Sequence, residues 1–172
     1  RDLAHAGGNF FARNADDALI ESFETIFSHQ RSDGQIPYRV ERKRFLLEHL
    51  AHVFGINVTL NRKKERAVYE GEDGGNAEDT IPAIVVSLGE LFLSSRKGRE
   101  FITEHFGKIK GAMDQFIGRT DSQDGLERSQ KSNPDWSDSL LKGDKKLGTI
   151  NVWYCRALRM MRIIAEGAGR PD

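Results

Sequence analysis

Apolar residues recur along this chain at helical spacing in five stretches, separated by polar segments of very unequal length. In the first, Leu19, Ile20, Phe23, Ile26 and Phe27 share one face, which predicts a helix over 14–30. Asn14 is placed to cap it, and Asp16 and Asp17 suit its first turn. Ser32-Asp33-Gly34 ends it, and Ile36-Pro37 reads as extended chain. Phe45, Leu46, Leu50 and Val53 predict a second helix over 41–54, closed by Gly55. From 56 to 77 the helical pattern fails. Ile56, Val58 and Leu60 alternate as a short strand would, and 71–75 is a glycine-rich turn.

The third helix starts at Asp79, read as its cap, with Pro82 in the first turn, where a missing N–H matters little. Ile84, Val85, Leu88, Leu91 and Phe92 form its apolar face. A fourth helix is expected over 98–117, carrying Phe101, Ile102, Phe106, Ile109, Met113 and Phe116. The connection at Lys97-Gly98 is so short that the pair should form a helical hairpin. A long polar loop fills 118–145. The fifth helix runs from Thr149 or Asn151 to Glu166, with Val152, Trp153, Ala157, Leu158, Met161 and Ile164 as its apolar face. The fold class is therefore all-α, an array of antiparallel helical hairpins in one domain. Short connections fall at one end, and long loops bearing Asp, Gly, Trp and Tyr at the other, where functional residues should gather.

Composition narrows the partners. The 172 residues carry 26 Lys plus Arg and 26 Asp plus Glu, so net charge is zero. That argues against a nucleic-acid interface, which normally shows a basic excess. No apolar run approaches a membrane span. No signal peptide is visible, which favours the cytoplasm while leaving the compartment open. The chain opens at Arg1-Asp2 and stops at Arg170-Pro171-Asp172, and both ends read as cut. The single cysteine, Cys155, lies in the fifth helix beside Trp153 and is expected in the core. His49 and His52 are three apart but lack the third ligand a zinc site needs, and no phosphate-binding glycine loop follows a strand. No cofactor is implied.

The candidate chemistry lies in the loops. Asp138 follows Trp136 with one residue between them, in a loop broken by Pro134. An indole can serve as a platform for the C–H face of a sugar, and a neighbouring carboxylic acid can protonate a glycosidic oxygen. Asp135 and Asp138 are equally readable as caps of the turns after Pro134. Asp124-Gly125 is a turn signal in its own right, Asp2 could be a frayed end, and Asp33-Gly34 a plain turn. Asp79 could cap its helix or point a carboxylate into a cleft.

Taken in order, these segments resemble the glycosidases built on an (α/α)6 barrel, in particular the glucoamylase and glycogen-debranching amylo-α-1,6-glucosidase group. Arg1-Asp2 is similar to the end of that group's Trp-x-Arg-Asp motif, and 30–37 to its Gln-x-x-Asp-Gly-x-Ile-Pro signature. Asp79-Thr80-Ile81-Pro82 resembles its Asp-x-x-Pro helix start. Asp124-Gly125-Leu126, followed by Asp135-Trp136-Ser137-Asp138, resembles the Asp-Gly-Leu and Trp-Met-Asp-Ala region, with Ser137 where the group has Met. Asn151, Trp153, Ala157 and Leu158 resemble the Asn-x-x-Trp-x-x-Ala-Leu helix that follows, with Trp153 one residue earlier than that pattern has its Trp. Segment 40–76 has no match.

The resemblance implies a partial barrel, with 1–172 as roughly its first half, and inverting hydrolysis of an α-glucan or α-glucoside. Asp138 would be the general acid. Asp2 and Asp79 would bind the sugar, Trp136 and Tyr38 would be platforms, and the base, a Glu of later loops, has no counterpart here. Trehalase-, rhamnosidase- and processing-glucosidase-like enzymes share the barrel and stand as alternatives. A non-enzymatic helical interaction module is the alternative of another class. Half a barrel should also leave apolar surface bare, with Phe23, Phe27, Leu88 and Trp153 expected to sit partly uncovered.

Overall fold

The computed structural model describes residues 16–42, 65–69, 79–127 and 148–170. It is mostly helical, as expected. The elements are α1 (Asp16–Ser28), β1 (Arg39–Arg42), β2 (Glu65–Val68), α2 (Thr80–Ser94), α3 (Arg96–Glu104), α4 (Phe106–Ile117) and α5 (Gly148–Gly167).

Helix α1 buries Leu19, Phe23 and Phe27, four residues apart along one stripe. Two acidic residues, Asp16 and Asp17, sit in its first turn, where the helix dipole favours them. The chain then turns at Gly34 and extends into β1, which pairs antiparallel with β2 in the register Arg39 to Val68 and Arg42 to Glu65. Tyr38 N–H donates to the Val68 carbonyl at 2.8 Å and lengthens this ladder. Glu41 and Arg42 are thus strand, not the start of a helix. Neither has a hydrophobic side chain that could reveal its period, so the helical pattern downstream spread back over them. The remainder of that expected helix, the expected strand at 56–60 and the turn at 71–75 lie outside the described residues.

Helix α2 is the centre of the molecule. Twelve of its residues, from Thr80 to Gly89 with Leu91 and Phe92, are buried, rather than a single face. A helix apolar nearly all round has to be enclosed, and α3, α4 and α5 pack against it. Gly89 permits the α5 approach, since a Cβ there would lie 2.7 Å from Met160. At its start, Asp79 supplies no side-chain cap; it adopts a right-handed helical conformation and is only 2% exposed. Asp79 was expected to cap, but its carboxylate is enclosed instead.

One extended residue, Ser95, joins α2 to α3, and its hydroxyl accepts from the Gly98 N–H at 2.9 Å as an N-cap. The helix expected over 98–117 therefore begins earlier, at Arg96. It also breaks at His105. The His105 ring packs on Phe101, centroids 4.4 Å apart, and on Phe27, 5.7 Å away. The His105 carbonyl takes the N–H groups of both Lys108 and Ile109 and so opens α4. The apolar stripe runs through the break: Phe101, Ile102, Phe106, Ile109, Met113 and Phe116 are all buried.

In α5 the buried face is Ile150, Asn151, Tyr154, Ala157 and Ile164. Ala157 and Ile164 are buried as expected, but Val152 is 69% exposed and Leu158 38%, so the buried face is rotated from the expected stripe. Tyr154, whose ring packs 5.1 Å from Phe116, and Asn151 set the phase although neither is purely apolar. The same rotation turns Cys155 outward, contrary to its expected core position. Phe23, Phe27 and Leu88 are fully covered, not bare as expected; Trp153 is half-buried. Among the described residues no helix is long and apolar enough to cross a membrane.

Candidate functional site

The Gln-x-x-Asp-Gly-x-Ile-Pro segment forms a locked turn. Gln30 is its anchor: its carboxamide N–H donates to the Gly34 carbonyl at 2.9 Å and to the Lys108 carbonyl of α4 at 2.8 Å. Asp33 accepts from the Gln35 N–H at 2.9 Å, closing an Asx turn. Gly34 has φ +89°, and a Cβ there would lie 2.1 Å from the Gly111 carbonyl oxygen. Only glycine allows the turn to rest on α4. Lys108 answers from the other side, its ammonium donating to the Phe27 carbonyl at 3.1 Å. Ile36 and Pro37 are then carried into the interior. Each residue type in the motif thus has a structural task.

Between this turn and α4 runs an open groove of about 520 Å³, lined by Gln30, Arg31, Asp33, Lys108 and Asp114 among others. Its charges are of both signs, and Asp114 is held by Lys110 at 2.6 Å. No aromatic ring among the described residues lines it.

The chain leaving the turn carries Tyr38 to the start of α2. Tyr38, Thr80, Gln115 and Arg119 line a small cavity of about 20 Å³, with Tyr69 and Ile81 also present. The loop after α1, the first turn of α2 and the end of α4 therefore meet there. Tyr69 is fixed by its phenol O–H, which donates to the His29 carbonyl, and by the Arg31 guanidinium 3.8 Å above its ring. Thr80 is 3% exposed. Among the described residues, neither the Thr80 hydroxyl nor the Gln115 Oε1 has a hydrogen-bond partner.

The Asp-Gly-Leu segment is a tight turn. Asp124 accepts from the Leu126 N–H at 3.0 Å, Gly125 has φ +68°, and Thr120 pairs with Glu127 across the turn. Asp124 is exposed, in keeping with a turn residue. Beyond it, Asn151 in the first turn of α5 grips the Glu127 backbone. The Asn151 oxygen accepts from the Glu127 N–H at 2.8 Å, and its amide donates to the Glu127 carbonyl at 3.1 Å. Glu127 is 2% exposed, and burial pushes the phenol of neighbouring Tyr154 above its usual value, with a Thr120 hydrogen bond opposing. Asn151→Ala would leave both Glu127 backbone groups without these partners in a buried setting. We expect a loss of about 2–4 kcal/mol in urea denaturation, against less than about 0.5 kcal/mol for Val152→Ala on the exposed face.

Of the residues that the resemblance assigns to the site, Tyr38 and Asp79 are described. Tyr38 is half-buried at the cavity, and Asp79 is enclosed at the start of α2, next in sequence to Thr80. Asp2, Asp135, Trp136 and Asp138 lie outside the described residues. Gln115, Arg119 and Glu127 were not anticipated. Gln115 is an ordinary polar position of an amphipathic helix and Arg119 lies in the turn just after it, and only the packing of a distant turn against them sets them apart. No group of three or more His, Cys, Asp or Glu able to hold a metal occurs among the described residues. Comparison with protein-family models, with curated proteins and with solved structures gave no match.

Proposed function

We propose that the protein is a glycoside hydrolase with the six-hairpin (α/α)6 architecture, of which residues 1–172 form roughly the first half. Its reaction is inverting hydrolysis of α-glucosidic bonds in an α-glucan or α-glucoside. The observation that carries this reading is the order of five short motifs along the chain. Two of them, the Asp-Gly turn segment and the Asp-x-x-Pro helix start, contribute residues to one cavity, which supports a shared site.

In the proposed mechanism Asp138 protonates the leaving oxygen, with Trp136 beneath the sugar ring. Asp2 and Asp79 hydrogen-bond sugar hydroxyls, and Tyr38 offers a second ring. The base that activates water comes from outside these residues, on the opposite face of the sugar, about 6.5–9.5 Å from the acid as inversion requires. The substrate is a carbohydrate, and neither a metal nor an organic cofactor takes part. The test is the anomer released first from an α-glucoside by the whole protein, followed by NMR. The β-anomer is expected; release of the α-anomer would exclude inversion, and no hydrolysis of any α-glucoside would exclude the activity.

A further inference from the structure

We propose that the cavity between Tyr38, Thr80, Gln115 and Arg119 receives a single hydroxyl group of the substrate, with Thr80 and Gln115 as its specificity-determining residues. This inference rests on the glycosidase reading above.

Size limits the occupant first. A cavity of about 20 Å³ accepts a group the size of water, for which roughly 10–15 Å³ suffices, but no ring or phosphate. Chemistry limits it next. The Thr80 hydroxyl can donate and accept, and the Gln115 carboxamide presents an acceptor and donors. Among the described residues, Thr80 Oγ1 and Gln115 Oε1 have no partner, although Thr80 is 3% exposed. Buried polar groups are normally paired, so two such atoms on residues that line one cavity call for an explanation.

An alcohol answers both at once, donating to Gln115 and accepting from Thr80. It satisfies either orientation of the carboxamide, because it does both. A carboxylate or phosphate group exceeds the cavity in size. An ammonium would meet the guanidinium of Arg119, which lines the same cavity. Tyr38, half-buried at the edge, supplies an apolar ring beside it, as the C–H face of a sugar requires.

The experiment uses the whole protein, with Thr80→Val and Gln115→Met as near-isosteric variants. The substrates are 4-nitrophenyl α-glucoside and its 2-, 3-, 4- and 6-deoxy analogues. The wild type should lose about 10- to 100-fold in kcat/KM on one analogue, the scale expected when a site built for a hydroxyl meets its absence. Each variant should show that loss already on the parent glucoside, lose nothing further on the one analogue, and keep wild-type discrimination at the other positions. Thr80→Val should leave the Tm of the ligand-free protein unchanged or higher, since the hydroxyl has no bond to lose. A fall in Tm with equal losses on all substrates would overturn the inference, showing that the cavity serves only the fold. A wild type that hydrolyses the glucoside but shows no preference the variants erase would overturn it while sparing the glycosidase reading. A wild type inactive on every substrate would overturn both.

Discussion

Asp138→Asn is expected to cut turnover of an unactivated α-glucoside by roughly 10²–10⁴-fold in the whole enzyme, the usual scale for losing general acid catalysis. The asparagine side chain keeps the shape and loses the proton. The loss should shrink on α-glucosyl fluoride, whose leaving group needs no protonation. Asp135→Asn serves as the comparison. It stands three residues away in the same loop, and the proposed mechanism assigns it to loop structure after Pro134. It should therefore lose far less, and lose it alike on both substrates. Measuring kcat for the two variants on the two substrates separates the roles. Equal losses at both positions, or full activity of Asp138→Asn on the unactivated glucoside, would remove Asp138 from the acid role.

The largest effect on stability should come from Gly34→Ala. Two independent penalties meet at this position. The backbone sits at φ +89°, where an L-residue is disfavoured by about 1–2 kcal/mol. The added Cβ would also lie 2.1 Å from the Gly111 oxygen and 2.6 Å from its carbonyl carbon. Both are backbone atoms of α4 and cannot yield as the end of a side chain can. The turn would have to lift from the helix, releasing the Gln30 bonds to Gly34 and Lys108. We expect a loss of about 3 kcal/mol or more, a large fraction of the roughly 5–15 kcal/mol that holds a domain together. Gly125→Ala is the control. Its φ is +68°, yet nothing lies within 4 Å of a Cβ there, so it should lose only the backbone term of about 1–2 kcal/mol. Urea denaturation of the two variants decides the matter. Equal losses would mean that the Gly34–Gly111 contact contributes nothing.

The helical content and most of the core follow from local chemistry. Leu19, Phe23 and Phe27 on α1, and Phe101 through Phe116 on α3 and α4, are spaced so that only a helix gathers them on one side. The Asp-Gly turns at 33–34 and 124–125 are likewise legible, because glycine at positive φ and an Asx bond are properties of two or three adjacent residues. The motif order that supports a glycosidase is also a property of the sequence alone.

Tertiary structure decided what depends on distant neighbours. The phase of α5 was set by Tyr154 meeting Phe116 and by Asn151 gripping Glu127, pairs that no window around residue 151 contains. The His105 ring, at the break between α3 and α4, packs on Phe27, far away in α1. Asp79 looked like a cap because capping is local; its enclosure follows from α2 being covered on nearly every side. Thr80 and Gln115 carry no signal in the chain, since an unpaired polar atom is defined only by what packs around it. Periodicity and turn chemistry act over a few residues and can be read in order. Burial, hydrogen-bond partnership and close approach are relations between segments, and they exist only once the chain has folded.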